Sequence, residues 1–153
     1  MENINAVSLD DAMPIMIEML KNGNTVSLMV KGNSMYPFLI SGRDKVFLKA
    51  DVNPLKKGDI VLYKNRNDKY ALHRISRVDD DGNFEIIGDG QLVADYPVSA
   101  DSIVAKVYMI TRKGKKLYNK SVKWKLFSNP IFLKFSRRFL VKKAIKKGSE
   151  AND

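Results

Sequence analysis

The sequence predicts a mainly β domain, a barrel or coiled sheet, with a helix at each end. Three observations carry that prediction. Short runs rich in Val, Ile, Leu, Tyr and Phe recur at about 25–31, 45–50, 59–64, 69–78, 84–88 and 103–111. Gly, Asn, Asp and Pro separate them, at Ser41-Gly42-Arg43-Asp44, Asn53-Pro54, Lys57-Gly58-Asp59, Asp81-Gly82-Asn83 and Gly88-Asp89-Gly90. Runs of that length with that punctuation are strands joined by turns. Before residue 23 the apolar spacing is instead that of a helix.

In chain order, Ser8-Leu9-Asp10-Asp11 resembles a capping box with Asp in place of Glu or Gln. Apolar residues at 12, 13, 15, 16, 17, 19 and 20 extend it into a helix over about 8–22, ending near Gly23. Pro14 is tolerated in the first turns, where an amide hydrogen bond is not yet needed. After the six runs begin, Asp79-Asp80-Asp81-Gly82 reads as a hairpin turn. Arg112-Lys113-Gly114-Lys115 reads as another, leading to a short strand near 116–119. Asn129-Pro130 then supplies an N-cap and first residue for a second helix, about 130–147. Its apolar residues spread around the helical wheel rather than forming one face. No internal repeat or low-complexity tract interrupts this order.

The 153 residues fit one domain with an appendage. A chain of this size buries about two-thirds of its unfolded surface and needs no disulfide or metal staple. Cysteine is absent, which excludes thiol chemistry, cysteine-ligated zinc and disulfides. Charge is unevenly spread. Residues 1–111 carry 13 Lys and Arg against 15 Asp and Glu, a net −2, while residues 112–153 carry 14 against 2, a net +12. The expected organisation is a β domain over 1–119 and a basic helical extension over 120–153. Neither a secretory signal nor a run of about 18 apolar residues is visible. Those features predict a cytoplasmic protein, with the basic extension able to place it at the inner face of a membrane.

Two residues can carry chemistry. Ser34 follows an apolar run and the pair Gly32-Asn33, and precedes Met35 and Pro37, so it sits in a turn at the exit of a strand. A serine in such a turn is usually structural, satisfying local backbone groups. His73 is the single histidine, inside the run Tyr70–Ser76. A serine hydroxyl is a poor nucleophile near neutral pH until a base removes its proton, and this chain offers one imidazole for that work.

Gly32-Asn33-Ser34-Met35-Tyr36-Pro37 strongly resembles the nucleophile box of type I signal peptidases and their repressor-protease relatives. Lys57-Gly58-Asp59-Ile60-Val61 resembles the start of the strand that follows it in that group. Leu72-His73-Arg74-Ile75 resembles the strand that bears the base, in the branch that uses His followed by Arg in place of Lys. Gly88-Asp89-Gly90 resembles the Gly-Asp-Asn box with Gly replacing Asn, and Asp95 falls where that branch has a second Asp. The resemblance implies a signal-peptidase-like or repressor-protease-like coiled β-barrel and a serine peptidase with Ser34 as nucleophile and His73 as general base. Asp89 and Asp95 both remain candidates for the carboxylate that orients the imidazole, and spacing does not choose between them. The backbone N–H of Ser34 is the expected oxyanion donor. Met35 and Pro37 are the expected shapers of the substrate cleft. The chemistry calls for no metal or other cofactor.

Two departures qualify the likeness. Bacterial signal peptidases have a hydroxyl two residues before the nucleophile, where this chain has Gly32. Most signal peptidases also have a membrane anchor before the box, whereas here Asp10, Asp11 and Glu18 mark a polar helix. The expected substrate is therefore an extended peptide or precursor protein, with trimming of a leader as one role. The basic extension, with Trp124, Phe127, Phe132, Phe135 and Phe139, could meet an anionic membrane or acidic peptide segments, or be a solvated basic helix packed on the barrel through its aromatics. Nucleic acid is not expected, since charge alone suggests it. The competing readings are a non-catalytic peptide- or membrane-binding module, and a self-cleaving regulator. The chain lacks the Ala-Gly or Cys-Gly cleavage dipeptide that the last would need.

Overall fold

The structure, a computed structural model, describes residues 9–51, 53–129, 133, 134, 137 and 138. The first element is helix α1 (Leu9–Lys21). Met13, Met16 and Leu20 are buried, the three-and-four spacing that puts them on one stripe. Beyond α1, Gly23 adopts a φ of 78°. The turn there lets the Asn24 N–H donate to the Met19 carbonyl at 3.0 Å, satisfying a helix-end acceptor. The capping box at Ser8 lies outside the described residues.

All six apolar runs form strands: β1 (Val26–Met29), β2 (Asp44–Lys49), β3 (Ile60–Lys64), β4 (Tyr70–Val78), β5 (Phe84–Ile87) and, after one more strand, β7 (Ile103–Arg112). That additional strand, β6 (Asp95–Val98), is absent from the sequence reading because Pro97 lies inside it. Proline is tolerated there because, among the described residues, β6 pairs only with β5, at the sheet edge. The Arg112–Lys115 turn leads to β8 (Lys115–Tyr118), and Lys113 and Gly114 take φ of 49° and 76°, as a two-residue hairpin turn requires.

The eight strands form one antiparallel sheet in the order β1-β2-β7-β3-β4-β5-β6, with β8 beside the end of β7. Register shifts at Phe47/Leu48, Leu62/Tyr63, Ile75/Arg77 and Phe84/Ile86 bend the strands. Among the described residues no ladder joins β1 to β6, so hydrogen bonding leaves the sheet open rather than closed into a barrel.

Strand β3 lies near the centre and separates two cores by simple alternation. Ile60 and Leu62 face a larger core with α1, β1, β2 and β7, whereas Val61 and Tyr63 face a smaller one with Ile75, Phe84, Ile86 and Ile103. A short helix, α2 (Val122–Phe127), follows β8, with the Ser121 hydroxyl accepting the Trp124 N–H at its start. Trp124 and Phe127 pack on Phe38, at ring distances of 5.2 and 4.9 Å. Trp124 is buried against the β domain, as expected if the extension packs there through its aromatics and not if this residue meets a membrane or substrate. The helix expected over 130–147 lies outside the described residues except at four positions. Among the described residues no helix is long and apolar enough to cross a membrane.

Candidate active site

Ser34 rides on the loop between β1 and β2, and the ends of that loop are tied together. The Val30 N–H donates to the Asp44 carbonyl at 2.9 Å, and the Gly42 N–H to the Val30 carbonyl at 2.9 Å. The buried Asp44 carboxylate accepts from the Ile40 N–H, from Arg43 and from Arg112. Burial pushes the Asp44 pKa up, but the two guanidiniums and the Ile40 amide override it and hold it at about 2. Arg112 also donates to the Phe38 carbonyl, so one arginine at the end of β7 clamps both the loop and its anchor. Inside the loop Met35, Phe38 and Leu39 are buried in the larger core, which leaves Ser34 half-buried at the surface of the turn. Gly32 takes a φ of 75° just before it. A serine or threonine there would be strained, so the missing hydroxyl donor has a backbone cause.

The Gly88-Asp89-Gly90 loop, which follows β5, presses directly on this turn. The Gly90 N–H donates to the Ser34 carbonyl at 2.8 Å. A Cβ on Gly90 would stand 2.9 Å from the Asn33 carbonyl oxygen and 3.0 Å from that of Tyr36. A Cβ on Gly88 would collide with the Ser34 carbonyl oxygen. The box that reads Gly-Asp-Gly therefore needs both glycines for close backbone approach, and the replacement of Asn by Gly at 90 matches that contact.

His73 and Arg74 are successive residues of β4, so their side chains leave opposite faces. Arg74 is 1% exposed and Asp89 is fully buried. The guanidinium donates to both Asp89 oxygens, at 2.8 and 2.7 Å, to the Gly58 carbonyl at 3.0 Å and to the Ser128 hydroxyl at 3.0 Å. Its remaining face lies over the Phe38 ring, 4.9 Å from the centroid. His73 looks the other way. Its Nδ1 is 3.0 Å from the Tyr63 hydroxyl, which in turn donates to Asp95 Oδ2 at 2.6 Å. Asp95 Oδ1 accepts from Arg66 Nε at 2.8 Å. Burial pushes the His73 pKa below its ordinary 6.5, against the opposing pull of Asp95 and Asp89.

Ser34 and His73 line one cavity of about 370 Å³. Its walls are mostly apolar, with Leu28, Met29 and Val30 on one side, Tyr70, Ala71 and Leu72 on the other, and Ala12 of α1 also contributing. Met35 lines it and Pro37 does not. Among the described residues both strands present an unpaired backbone edge here: β1 pairs only with β2, and β4 pairs with β5 only from Arg74 onward.

Of the residues singled out from sequence, Ser34, His73 and Met35 come together at this cavity, with Asp95 connected to it through one hydroxyl. Asp89 is engaged with Arg74, in the loop that presses on the Ser34 turn. Tyr63 and Arg66 were not anticipated. A usable signal existed for Tyr63. The Asn65–Asp68 turn pairs 60–64 with 70–74, placing Tyr63 opposite Ala71 and thus diagonal to His73 on the same face.

No curated protein matches the chain. Residues 1–110 match the Peptidase S24-like family, and since that span covers most of the chain and holds Ser34, His73, Asp89 and Asp95, the chain belongs to that family.

Proposed function

We propose that the chain is a serine endopeptidase of the signal-peptidase and repressor-protease kind, with Ser34 as nucleophile and His73 as general base. The observation that carries this reading is the shared cavity, whose mostly apolar lining includes both Ser34 and the single histidine. Ser34 Oγ attacks the scissile carbonyl while His73 takes its proton. The backbone N–H of Ser34 holds the resulting oxyanion. His73 then protonates the leaving amine, and water repeats the cycle to release the acyl group. Because burial lowers the His73 pKa, the imidazole is neutral and able to accept a proton at neutral pH. Asp95 is the carboxylate that supports it, and Asp89 serves the frame.

The substrate is an extended peptide lying between the free edges of β1 and β4 as an added strand, with side chains alternating into the apolar cavity. Met35 shapes the cavity floor, and Pro37 acts on the loop rather than on the peptide. Small residues near the cut, and a leader on a precursor protein, are the substrate features the resemblance implies. Basic residues of the extension past 112 would draw acidic precursor segments or an anionic membrane surface toward the cleft.

The test is a peptide-library digest at about pH 8, read by mass spectrometry for the wild type, Ser34→Ala and His73→Ala. Cuts made only by the wild type are expected. Cuts that persist in either variant would rule the mechanism out, and no cuts from any protein would favour a peptide-binding module.

A further inference from the structure

We propose that Tyr63 is a positioning residue whose hydroxyl relays Asp95 to His73 and fixes the imidazole as the Nδ1–H tautomer. Its catalytic use rests on the Ser34–His73 reading above, but the tautomer does not. The argument is a count of protons. Three groups stand in a row, His73 Nδ1, the Tyr63 hydroxyl and Asp95 Oδ2, with gaps of 3.0 and 2.6 Å. A phenol has one proton to give, and an ionised carboxylate can only accept.

Asp95 is ionised at neutral pH. Burial pushes its pKa up, but Tyr63 and Arg66 outweigh that and hold it below the usual carboxylate value. Tyr63 stays protonated, since burial and the adjacent Asp95 both push its pKa far up. The Tyr63 proton must therefore point at Asp95. Its oxygen is left as an acceptor, and the only proton available to it on the His73 side is one on Nδ1. Nε2 then keeps its lone pair, which is the form a base for Ser34 needs.

The carboxylate is held for this duty. Arg66 donates from Nε to Asp95 Oδ1 at 2.8 Å and from its NH2 group to the Ala94 carbonyl at 2.9 Å, which leaves Oδ2 for Tyr63. Tyr63 itself is fully buried in the smaller core, so its hydroxyl has little freedom to turn. When His73 gains the Ser34 proton, its Nδ1–H bond to Tyr63 strengthens and polarises the phenol against Asp95. The charge is thus stabilised through one intervening hydroxyl instead of by direct contact. Among the described residues, the charged and titratable groups around the imidazole are Tyr63 from β3, Asp95 from β6, Asp89 after β5, and Lys31 and Tyr70 on the cavity wall. Arg66 stands behind Asp95, and Arg74 is engaged with Asp89.

One histidine makes the test direct, because histidine labelled with nitrogen-15 gives one pair of ring signals. Above the His73 titration the wild type should carry its proton on Nδ1. In Asp95→Asn, Arg66 keeps the amide oxygen, the amide NH2 turns to Tyr63, and the phenol must donate to Nδ1, so the ring proton moves to Nε2. In Tyr63→Phe the ring packing stays and the link is lost, so the tautomer is no longer fixed. Activity should follow, with kcat/KM down on the order of 10³–10⁴-fold in Asp95→Asn, the size expected for a base locked in the wrong tautomer. Tyr63→Phe should lose less, about 10²-fold, in kcat rather than KM. A wild-type proton on Nε2, or an unchanged tautomer in Asp95→Asn, would overturn the relay. Should Tyr63→Phe fail to fold, the wild-type and Asp95→Asn spectra still decide. Failure to cut any peptide would count against the peptidase reading alone, since the spectra judge the relay without it.

Discussion

His73 and Arg74 are neighbours on one strand, yet each turns to its own aspartate on its own face of the sheet. Around Arg74 the charges are sealed. Its side chain is 2% exposed and that of Asp89 not at all, and every strong hydrogen bond goes to another protein group. Around His73 the chain of contacts stays open to solvent at one end. Asp95 is 20% exposed on its side chain and Arg66 60%. A buried ion pair whose hydrogen bonds all go to fixed protein groups suits a structural joint. It ties β4, the Gly58 turn, the Gly88–Gly90 loop and the end of α2 into one frame under the nucleophile turn. A partly hydrated carboxylate reaching a titratable ring through one hydroxyl can respond to a proton gained next door. The two aspartates lie six residues apart and have the same chemistry; their surroundings divide the labour.

That division can be broken in order of size. Removing either reacting group, by Ser34→Ala or His73→Ala, should cut kcat by about 10⁶-fold while leaving the melting temperature near wild type. A residual rate close to wild type in a digest would contradict the assignment. Next comes Asp95→Asn, whose loss should appear in turnover with little change in stability. Asp89→Asn should do the reverse, costing about 3–5 kcal/mol because a buried guanidinium loses its partner. Urea denaturation of the two variants side by side reads this directly. Trp124→Ala should cost about 3 kcal/mol through the cavity left beside Phe38, again with the rate per folded molecule maintained; a stable variant would mean that α2 does not brace the nucleophile loop.

The smallest effect is on pH. His73 must be neutral to act, so kcat/KM should rise as pH climbs through its pKa, and burial places that rise below the ordinary 6.5. Asp95 and Asp89 both raise that pKa, so neutralising either should move the rise to still lower pH, more for Asp95 than for Asp89. A rise that moves toward alkaline pH would show that another group titrates. Stability has its own window. The Asp44 pKa is depressed from 3.8 to about 2, so its share of stability is complete above 3.8 and is lost as pH falls through about 2.

Much of the fold was legible because glycine, proline and aspartate mark the turns and the apolar runs between them form strands. Ser34 and His73 stood out as candidates because the boxes around them keep their order and spacing, and both line one cavity. Strand β6 was hidden by Pro97, which only an edge position permits. Helix α2 was hidden by its length of 6 residues, too short for a periodic pattern to emerge. The different partners of Asp89 and Asp95 were not legible, because they depend on which face of β4 each loop returns to. Tyr63 looked like one more apolar residue in a buried strand. Its place beside His73 appears only when strand register sets it diagonal to that residue.

The most direct test is the cleavage rate per folded molecule of Asp95→Asn and Asp89→Asn, measured together on one peptide that the wild type cuts. The account predicts a folded and nearly silent Asp95→Asn, beside an unstable Asp89→Asn whose folded fraction cuts within about tenfold of wild type. A silent, well-folded Asp89→Asn beside an active Asp95→Asn would contradict it.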